Sequence, residues 1–143
     1  MRVKNQDIKL KEVIKSDCLF LYELLDERKP WMNISHKKMP TYEEHVKFVM
    51  SKPYSKWYII ILKNQKVGAI YLSKQNEMGI WLKKGTCGKG IGTIALQLLM
   101  KQNHRKRYLA NINPKNKNSI RFFKNKKFKL VQHTYELMVP DEK

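Results

Sequence analysis

Residues 77–99 read EMGIWLKKGTCGKGIGTIALQLL. Glu77 to Leu82 is a short apolar run of strand character. Ile94, Ala95, Leu98 and Leu99 fall on one face at helical spacing. Between the two lies a glycine-rich turn, Gly85 to Gly92, whose core is Cys87-Gly88-Lys89-Gly90-Ile91-Gly92. Glycine lets the backbone turn tightly and lets its N–H groups face a ligand without interference from a Cβ. The helix that follows adds unpaired N–H groups and the positive end of its dipole, so this strand–turn–helix is suited to bind phosphate. Lys83, Lys84 and Lys89 add positive charge at its mouth. Neither the dinucleotide pattern G-x-G-x-x-G nor the Walker pattern G-x-x-x-x-G-K-S/T fits, because Thr93 follows a glycine rather than a lysine.

Outward from this stretch the chain alternates between the two periods. On its N-terminal side, Lys56 to Leu62 and Lys66 to Leu72 are strand-like and are joined through Lys63-Asn64-Gln65, a hairpin signal. Thr41-Tyr42-Glu43-Glu44 is a T-x-x-E capping box that opens a helix running to about Met50. A second helix is expected from Asp17 to about Arg28, capped by Ser16 or Asp17, with Leu21, Leu24 and Leu25 on one face. Lys9 to Val13 is a weakly patterned opening strand, and residues 29–40 form a proline-bounded loop. On the C-terminal side a strand is expected at Tyr108 to Ile112 and a helix at Asn116 to Lys127. Phe128 to Val131 and Tyr135 to Val139 are expected to close the chain as strands. The order β-α-α-β-β-β-α-β-α-β-β makes an α/β fold, a mixed, mostly antiparallel central sheet flanked by helices, in one domain over residues 1–143.

Composition narrows the partners. The 143 residues carry 30 Lys and Arg against 12 Asp and Glu, a formal net charge of +18. A basic chain suggests a polyanionic partner, yet 25 of those cations are lysine and only 5 arginine. Specific nucleic-acid contacts lean on arginine, whose fork pairs bidentately with phosphate and guanine. The lysines are also scattered along the whole chain, so the reading is anionic small ligands rather than nucleic acid. No apolar run approaches the roughly 20 residues of a membrane span, and the N-terminus has no signal-peptide core. Cys18 and Cys87 make no disulfide framework, and no spacing of His, Cys, Asp or Glu indicates a metal site. A cytoplasmic protein, with a homodimer as candidate assembly, is expected.

A second motif sharpens this. Asn116-Lys117-Asn118-Ser119-Ile120-Arg121-Phe122-Phe123, followed by Lys127-Phe128, resembles the closing motif N-x-x-A/S-x-x-L/F-Y/F-x-x-x-G-F of the GNAT superfamily of acetyl-CoA-dependent N-acetyltransferases. Gly90 and Gly92 resemble the last positions of that superfamily's Q/R-x-x-G-x-G/A pyrophosphate loop. The resemblance covers residues 56–131 most fully. It implies acetyl-CoA as cofactor, held by Trp81, Leu82, Lys83, Cys87, Gly88, Lys89, Gly90, Ile91, Gly92, Thr93, Asn113, Asn116, Ser119, Phe122 and Phe123. It also implies that backbone N–H groups of Trp81 to Lys83 hold the thioester. Three positions depart from the pattern. Cys87 stands in place of the loop's first polar residue. Lys127 replaces a glycine. Phe123 stands where many members carry a tyrosine that protonates the departing thiolate, which leaves water, the amine's own proton, Tyr135 or Tyr108 as candidate sources.

Such a reaction is attack by a neutral amine on a thioester. At pH 7 a lysine-like amine of pKa near 10.4 costs about 4.6 kcal/mol to deprotonate, whereas an amine near 8 costs about 1.4 kcal/mol. A sugar amine is close to the second case, so a water-relayed carboxylate or imidazole suffices as base. Glu77, at the head of the strand leading to the phosphate loop, and His36, with a pKa suited to base work, are the candidates. Asn33, Ser35, His36 and Asn111 are expected to contact the acceptor. Asn33-Ile34-Ser35-His36, Met39-Pro40-Thr41, Glu43-Glu44-His45, Lys74-Gln75-Asn76-Glu77 and Asn111-Ile112-Asn113-Pro114 further resemble a GNAT branch associated with nucleotide-linked amino sugars and surface glycans. The expected function is therefore transfer of an acetyl group to the primary amine of a nucleotide-linked amino sugar. The alternatives are a protein N-terminal or lysine acetyltransferase of the ribosomal-protein type, and a non-catalytic acyl-CoA binder.

Overall fold

A computed structural model describes residues 3–28, 39–86 and 88–140. Strand β1 (Ile8–Glu12) leads through a short 3-10 turn into helix α1 (Cys18–Asp26). Helix α2 (Tyr42–Met50) follows, then strands β2 (Lys56–Leu62), β3 (Gln65–Leu72) and β4 (Glu77–Leu82). Helix α3 (Ile91–Gln102), strand β5 (Leu109–Ala110) and helix α4 (Lys117–Asn125) complete the described elements. The strands form one sheet in the order β1-β2-β3-β4-β5, antiparallel up to β4 and parallel between β4 and β5. The expected mixed α/β sheet flanked by helices is what the chain adopts.

Local chemistry accounts for the element ends. The Thr41 box forms as the sequence implies: Glu44 N–H donates to Thr41 Oγ1 at 3.1 Å and Thr41 N–H to Glu44 Oε1 at 2.8 Å. Lys63 and Asn64 both take positive φ, +47° and +70°, the geometry of a two-residue turn that matches the twist of a hairpin. Gln65 therefore belongs to β3. Asn116 caps α4 by accepting from Ser119 N–H at 3.2 Å. Lys127 takes φ +72°, the left-handed conformation expected from a position that favours glycine.

Strand periodicity divides the core in two. Tyr58, Ile60, Ile70, Leu72 and Met78 pack against Ile91, Ile94, Ala95 and Leu99 of α3 and Phe123 of α4. On the other face Ile59 and Ala69 pack against Cys18, Leu21 and Leu24 of α1 and Val49 of α2. Glu77, Gly79 and Trp81 thus look toward the α1/α2 face, and Met78, Ile80 and Leu82 toward α3 and α4.

Three expectations need correction. Asp17 does not cap α1: its buried carboxylate accepts from Ile14 N–H at 2.9 Å and meets Lys11 Nζ and Lys66 Nζ at 2.7 Å each. It ties β1, β3 and the start of α1 together. The strand expected at 108–112 pairs over two residues only, because the chain diverges from β4 immediately afterwards. The closing strands at 128–131 and 135–139 are not formed; residues 129–140 carry no regular secondary structure and are exposed. A strand needs a pairing partner, and pattern alone does not supply one.

Candidate active site

Antiparallel bonding decides which backbone groups of β4 are available. Lys83 N–H donates to Val67 O and Ser73 N–H to Glu77 O, both at 2.7 Å. Such bonds recur at alternate residues, so in this register Gly79 and Trp81 turn their N–H groups toward β3. Ile80 and Leu82 turn theirs the other way. There β5 pairs only as far as Met78, and a gap opens. The sequence expectation of Trp81 to Lys83 as the N–H donors is corrected accordingly: Lys83 N–H is engaged by Val67, and the N–H groups that face away from β3 in this register are those of Ile80 and Leu82.

The gap is a pocket beside β4, lined by residues from both faces of the sheet. Ile80, Met78, Ser119, Asn116 and Phe123 line its α3/α4 side; Tyr71, Gly79 and Trp81 line the other, with Asn111 and Asn113 closing the β5 flank. Phe123 is buried, edge-on to Phe122 and Phe128, and its ring carries no proton donor. Neither tyrosine expected to replace it is at hand. Tyr108 Oη donates to Asn103 O at 2.7 Å, and Tyr135 is 90% exposed in the C-terminal segment. The hydroxyl-bearing residues that line the gap are Tyr71 and Ser119. Burial pushes the Tyr71 phenol up, as does the nearby Glu77 carboxylate, against the opposing charge of Arg28.

Glu77 is held from both sides. Ser73 Oγ donates to Glu77 Oε1 at 3.2 Å, and Asn111 Nδ2 makes a short bond to Oε2. Ser73 Oγ also accepts from Gln75 N–H at 3.2 Å and Glu77 N–H at 3.0 Å, which uses the hydroxyl's full capacity. The turn Ser73–Asn76, with Asn76 at φ +66°, thus fixes the carboxylate at the mouth of the gap. Along the same face the Arg28 guanidinium stacks on the Trp81 ring, 3.5 Å from its centroid, and Tyr54 stacks on Tyr71 at 3.9 Å. Burial lowers the Arg28 pKa to about 10 while the Tyr71 and Tyr54 hydroxyls oppose that shift, so it stays cationic at neutral pH.

The phosphate-loop side is built from backbone. Gly88 and Gly90 have φ +82° and +83°, and a Cβ at Gly88 would meet nothing within 4 Å. Ile94 N–H makes the first intrahelical bond of α3, to Gly90 O. The N–H groups of Ile91, Gly92 and Thr93 lie ahead of it, in the first turn, where no intrahelical carbonyl reaches them. The Ile91 side chain is buried in the core, so only its backbone can serve a ligand. A Cβ at Gly92 would come within 3.4 Å of the Phe122 ring, which keeps that helix start close to α4. Lys83, Lys84, Lys89, Lys115 and Lys117 are exposed around this end. An open loop with left-handed glycines, a helix start with free donors and a lysine surround fit a pyrophosphate.

Asn33, Ser35, His36 and Cys87 lie outside the described residues. Of the other sequence-proposed residues, Trp81, Asn111, Asn113, Asn116, Ser119 and Phe123 line the gap, Glu77 is bonded to Asn111 beside it, and Gly88, Lys89, Gly90, Ile91, Gly92 and Thr93 make up the loop and the first turn of α3; Leu82, Lys83 and Phe122 are not among the gap's lining. Sequence reasoning missed Ser73, Arg28 and Gly79. Only Gly79 carried a signal, since an isolated glycine within a strand marks a close approach; here it is the Tyr71 ring.

Comparison with known proteins agrees with this geometry. Residues 8–129 match the family model described as an acetyltransferase (GNAT) domain, and the chain belongs to that family. It is an acyltransferase, and acetyl-CoA is its cosubstrate. A solved domain from Methanocaldococcus jannaschii is 26% identical with a TM-score of 0.78, over 90% of this chain and 92% of that one. The ribosomal L7/L12 alpha-N-protein acetyltransferase RimL, in complex with coenzyme A, is 21% identical with a TM-score of 0.71, over 88% and 82%. The protein yncA of Salmonella typhimurium, a putative acetyltransferase with acetyl-CoA, is 15% identical with a TM-score of 0.70, over 88% and 82%. None of the curated proteins compared by sequence matches.

Proposed function

We propose that this chain transfers the acetyl group of acetyl-CoA to the primary amine of a small anionic acceptor, of the nucleotide-linked amino-sugar class. The observation that carries the reading is the α1/α2 face of the gap. A carboxylate clamped by Ser73 and Asn111 and a guanidinium stacked on Trp81 sit along one surface, the first suited to an amine and the second to an anionic or planar group. With a net charge of +18, the protein attracts an acceptor carrying phosphates and repels a polycation.

In this reading the first turn of α3 and the loop at Gly88 and Gly90 hold the pyrophosphate, with Lys83, Lys84 and Lys89 neutralising it. Asn116, Ser119, Phe122 and Phe123 wall the thioester arm. The Ile80 and Leu82 N–H groups hold the thioester oxygen as negative charge develops on it. Glu77 accepts the amine proton through water, the amine nitrogen forms its bond to the acetyl carbon, and the carbon–sulfur bond breaks. A thiolate of ordinary pKa near 8.5 needs little help to leave; Tyr71, kept protonated by burial, or water supplies its proton. Asn33, Ser35 and His36 are proposed to cover the acceptor, and Cys87 to close the loop.

Likeness in fold to the L7/L12 acetyltransferase gives a second reading, a protein α-amine as acceptor. Thiol release measured against a panel of nucleotide-linked amino sugars and against N-terminal peptides separates the two. Turnover of peptides alone overturns the proposal. An unchanged melting temperature at saturating acetyl-CoA overturns both.

A further inference from the structure

The end of α1 is fastened to β4 by two successive residues. Glu27 Oε1 accepts from Lys84 N–H at 2.7 Å, where β4 gives way to the phosphate loop. Arg28 lies on the Trp81 ring, 3.5 Å from its centroid. The N–H groups of the same two residues close the last turn, donating to Glu23 O at 3.1 Å and Leu25 O at 3.2 Å. Backbone and side chains together therefore set where the guanidinium stands. Tyr54 and Tyr71, stacked on one another, lie near enough to interact with its charge. An indole face with phenol oxygens beside it is a surround for a cation, and here the occupant is the chain's own arginine. Trp81 and Tyr71 line the gap. Glu77 stands on the same face of β4, about 13 Å before Trp81 along the strand.

We propose that Arg28 sets the charge of the acceptor: its guanidinium fills the aromatic surround that a second ammonium group would otherwise enter, and pairs there with an anionic group of the acceptor. This role rests on the small anionic acceptor proposed above and names the residue that selects it. The net charge of +18 steers encounters, but exposed charges more than about 8 Å away are largely screened at physiological salt. Arg28 acts at contact distance. A like charge about 5 Å from it, at an effective dielectric of about 20, loses on the order of 100-fold in affinity. An opposite charge meets a planar donor already ordered on Trp81, so little side-chain freedom remains to be lost. With the guanidinium removed, the same face holds the Glu77 carboxylate and uncovered rings, which favours a diamine.

Thiol release tests this, with kcat/KM taken for nucleotide-linked amino sugars and for 1,3-diaminopropane and spermidine. Arg28→Gln keeps a planar group without the charge, and Arg28→Lys keeps the charge without the plane. Arg28→Met is a second neutral variant, used if the glutamine variant does not fold. The thermal shift given by acetyl-CoA verifies that each variant is folded and binds the cosubstrate. Wild type should favour the amino sugars. In Arg28→Gln their kcat/KM should fall about 10–100-fold, through KM at nearly unchanged kcat. That of the diamines should rise by about 10–100-fold, while Arg28→Lys should still exclude them. The same preference in wild type and the neutral variants overturns the role of Arg28 and leaves the acceptor reading standing. Diamine turnover by Arg28→Lys equal to that of Arg28→Gln also overturns it, since charge would then not be what excludes. A wild type that takes diamines as readily as amino sugars, or peptides alone, overturns both.

Discussion

Alanine at position 79 would set a methyl carbon 2.3 Å from Tyr71 Cε2, 2.5 Å from Cζ and 2.7 Å from Oη. Ordinary contact begins near 3.4 Å, so the ring has to move by about 1 Å. It has little room to do so, because Tyr54 is stacked on it at 3.9 Å and 11°. Breaking that stack costs about 0.5–1.5 kcal/mol, and forcing the ring off its rotamer costs a similar amount. Together they put Gly79→Ala at about 1–3 kcal/mol, the usual range for overpacking. For a chain of this length each kcal/mol corresponds to about 3 °C in Tm, so thermal denaturation should show a loss of about 3–10 °C. The ring carries the hydroxyl at the gap, so kcat/KM should also fall, by about 10–100-fold for a displacement of this size. A double-mutant cycle isolates the cause. In a Tyr71→Leu background the alanine methyl meets no ring, and its cost should drop below about 0.5 kcal/mol. An equal cost in both backgrounds, or a Gly79→Ala protein that melts with the wild type, refutes the reasoning.

The other predictions concern the base, the buried carboxylate and two turns. Glu77→Gln should lower kcat about 10²–10⁴-fold at neutral pH, with the deficit shrinking as the pH approaches the pKa of the acceptor amine; a wild-type pH profile from this variant would remove Glu77 as base. Asp17→Asn leaves Lys11 and Lys66 facing a buried amide and should cost about 3 kcal/mol or more. Burial pushes the Asp17 carboxyl up, but Lys11, Lys66 and the Ile14 N–H outweigh it and hold the pKa below the ordinary value. Its stabilisation is therefore complete above the unfolded pKa near 3.9 and is lost as pH falls through the lower folded value. The asparagine variant should show a flatter acid limb in urea titrations of stability against pH. Thr41→Ala removes the reciprocal cap and should cost about 1 kcal/mol by the same assay. Gly90→Ala, at φ +83°, should cost about 1–2 kcal/mol and weaken the thermal shift produced by acetyl-CoA.

Much of the fold was legible because its causes are local. The T-x-x-E box, the Lys63-Asn64 turn and the 2-to-3.6 change of period at Gly85 to Gly92 each involve residues a few positions apart. Their geometry follows from backbone sterics and nearby hydrogen bonds. For the same reason the phosphate loop, with Asn116 and Ser119 at the start of α4, could be read as a ligand site before any contact was known.

Tertiary structure decided what depends on partners distant in the chain. Asp17 reads as a helix cap until Lys66, 49 positions away, reaches it. Glu77 is an ordinary strand-end carboxylate until Asn111, 34 positions on, closes against it. Alternation along β4 says that every second N–H is available, but only the pairing of Lys83 with Val67 tells that Ile80 and Leu82 are the ones. The segment at 135–139 shows the converse. Its alternation reads as a strand, yet no strand forms there among the described residues, because a strand is a pair property that a sequence pattern alone does not complete.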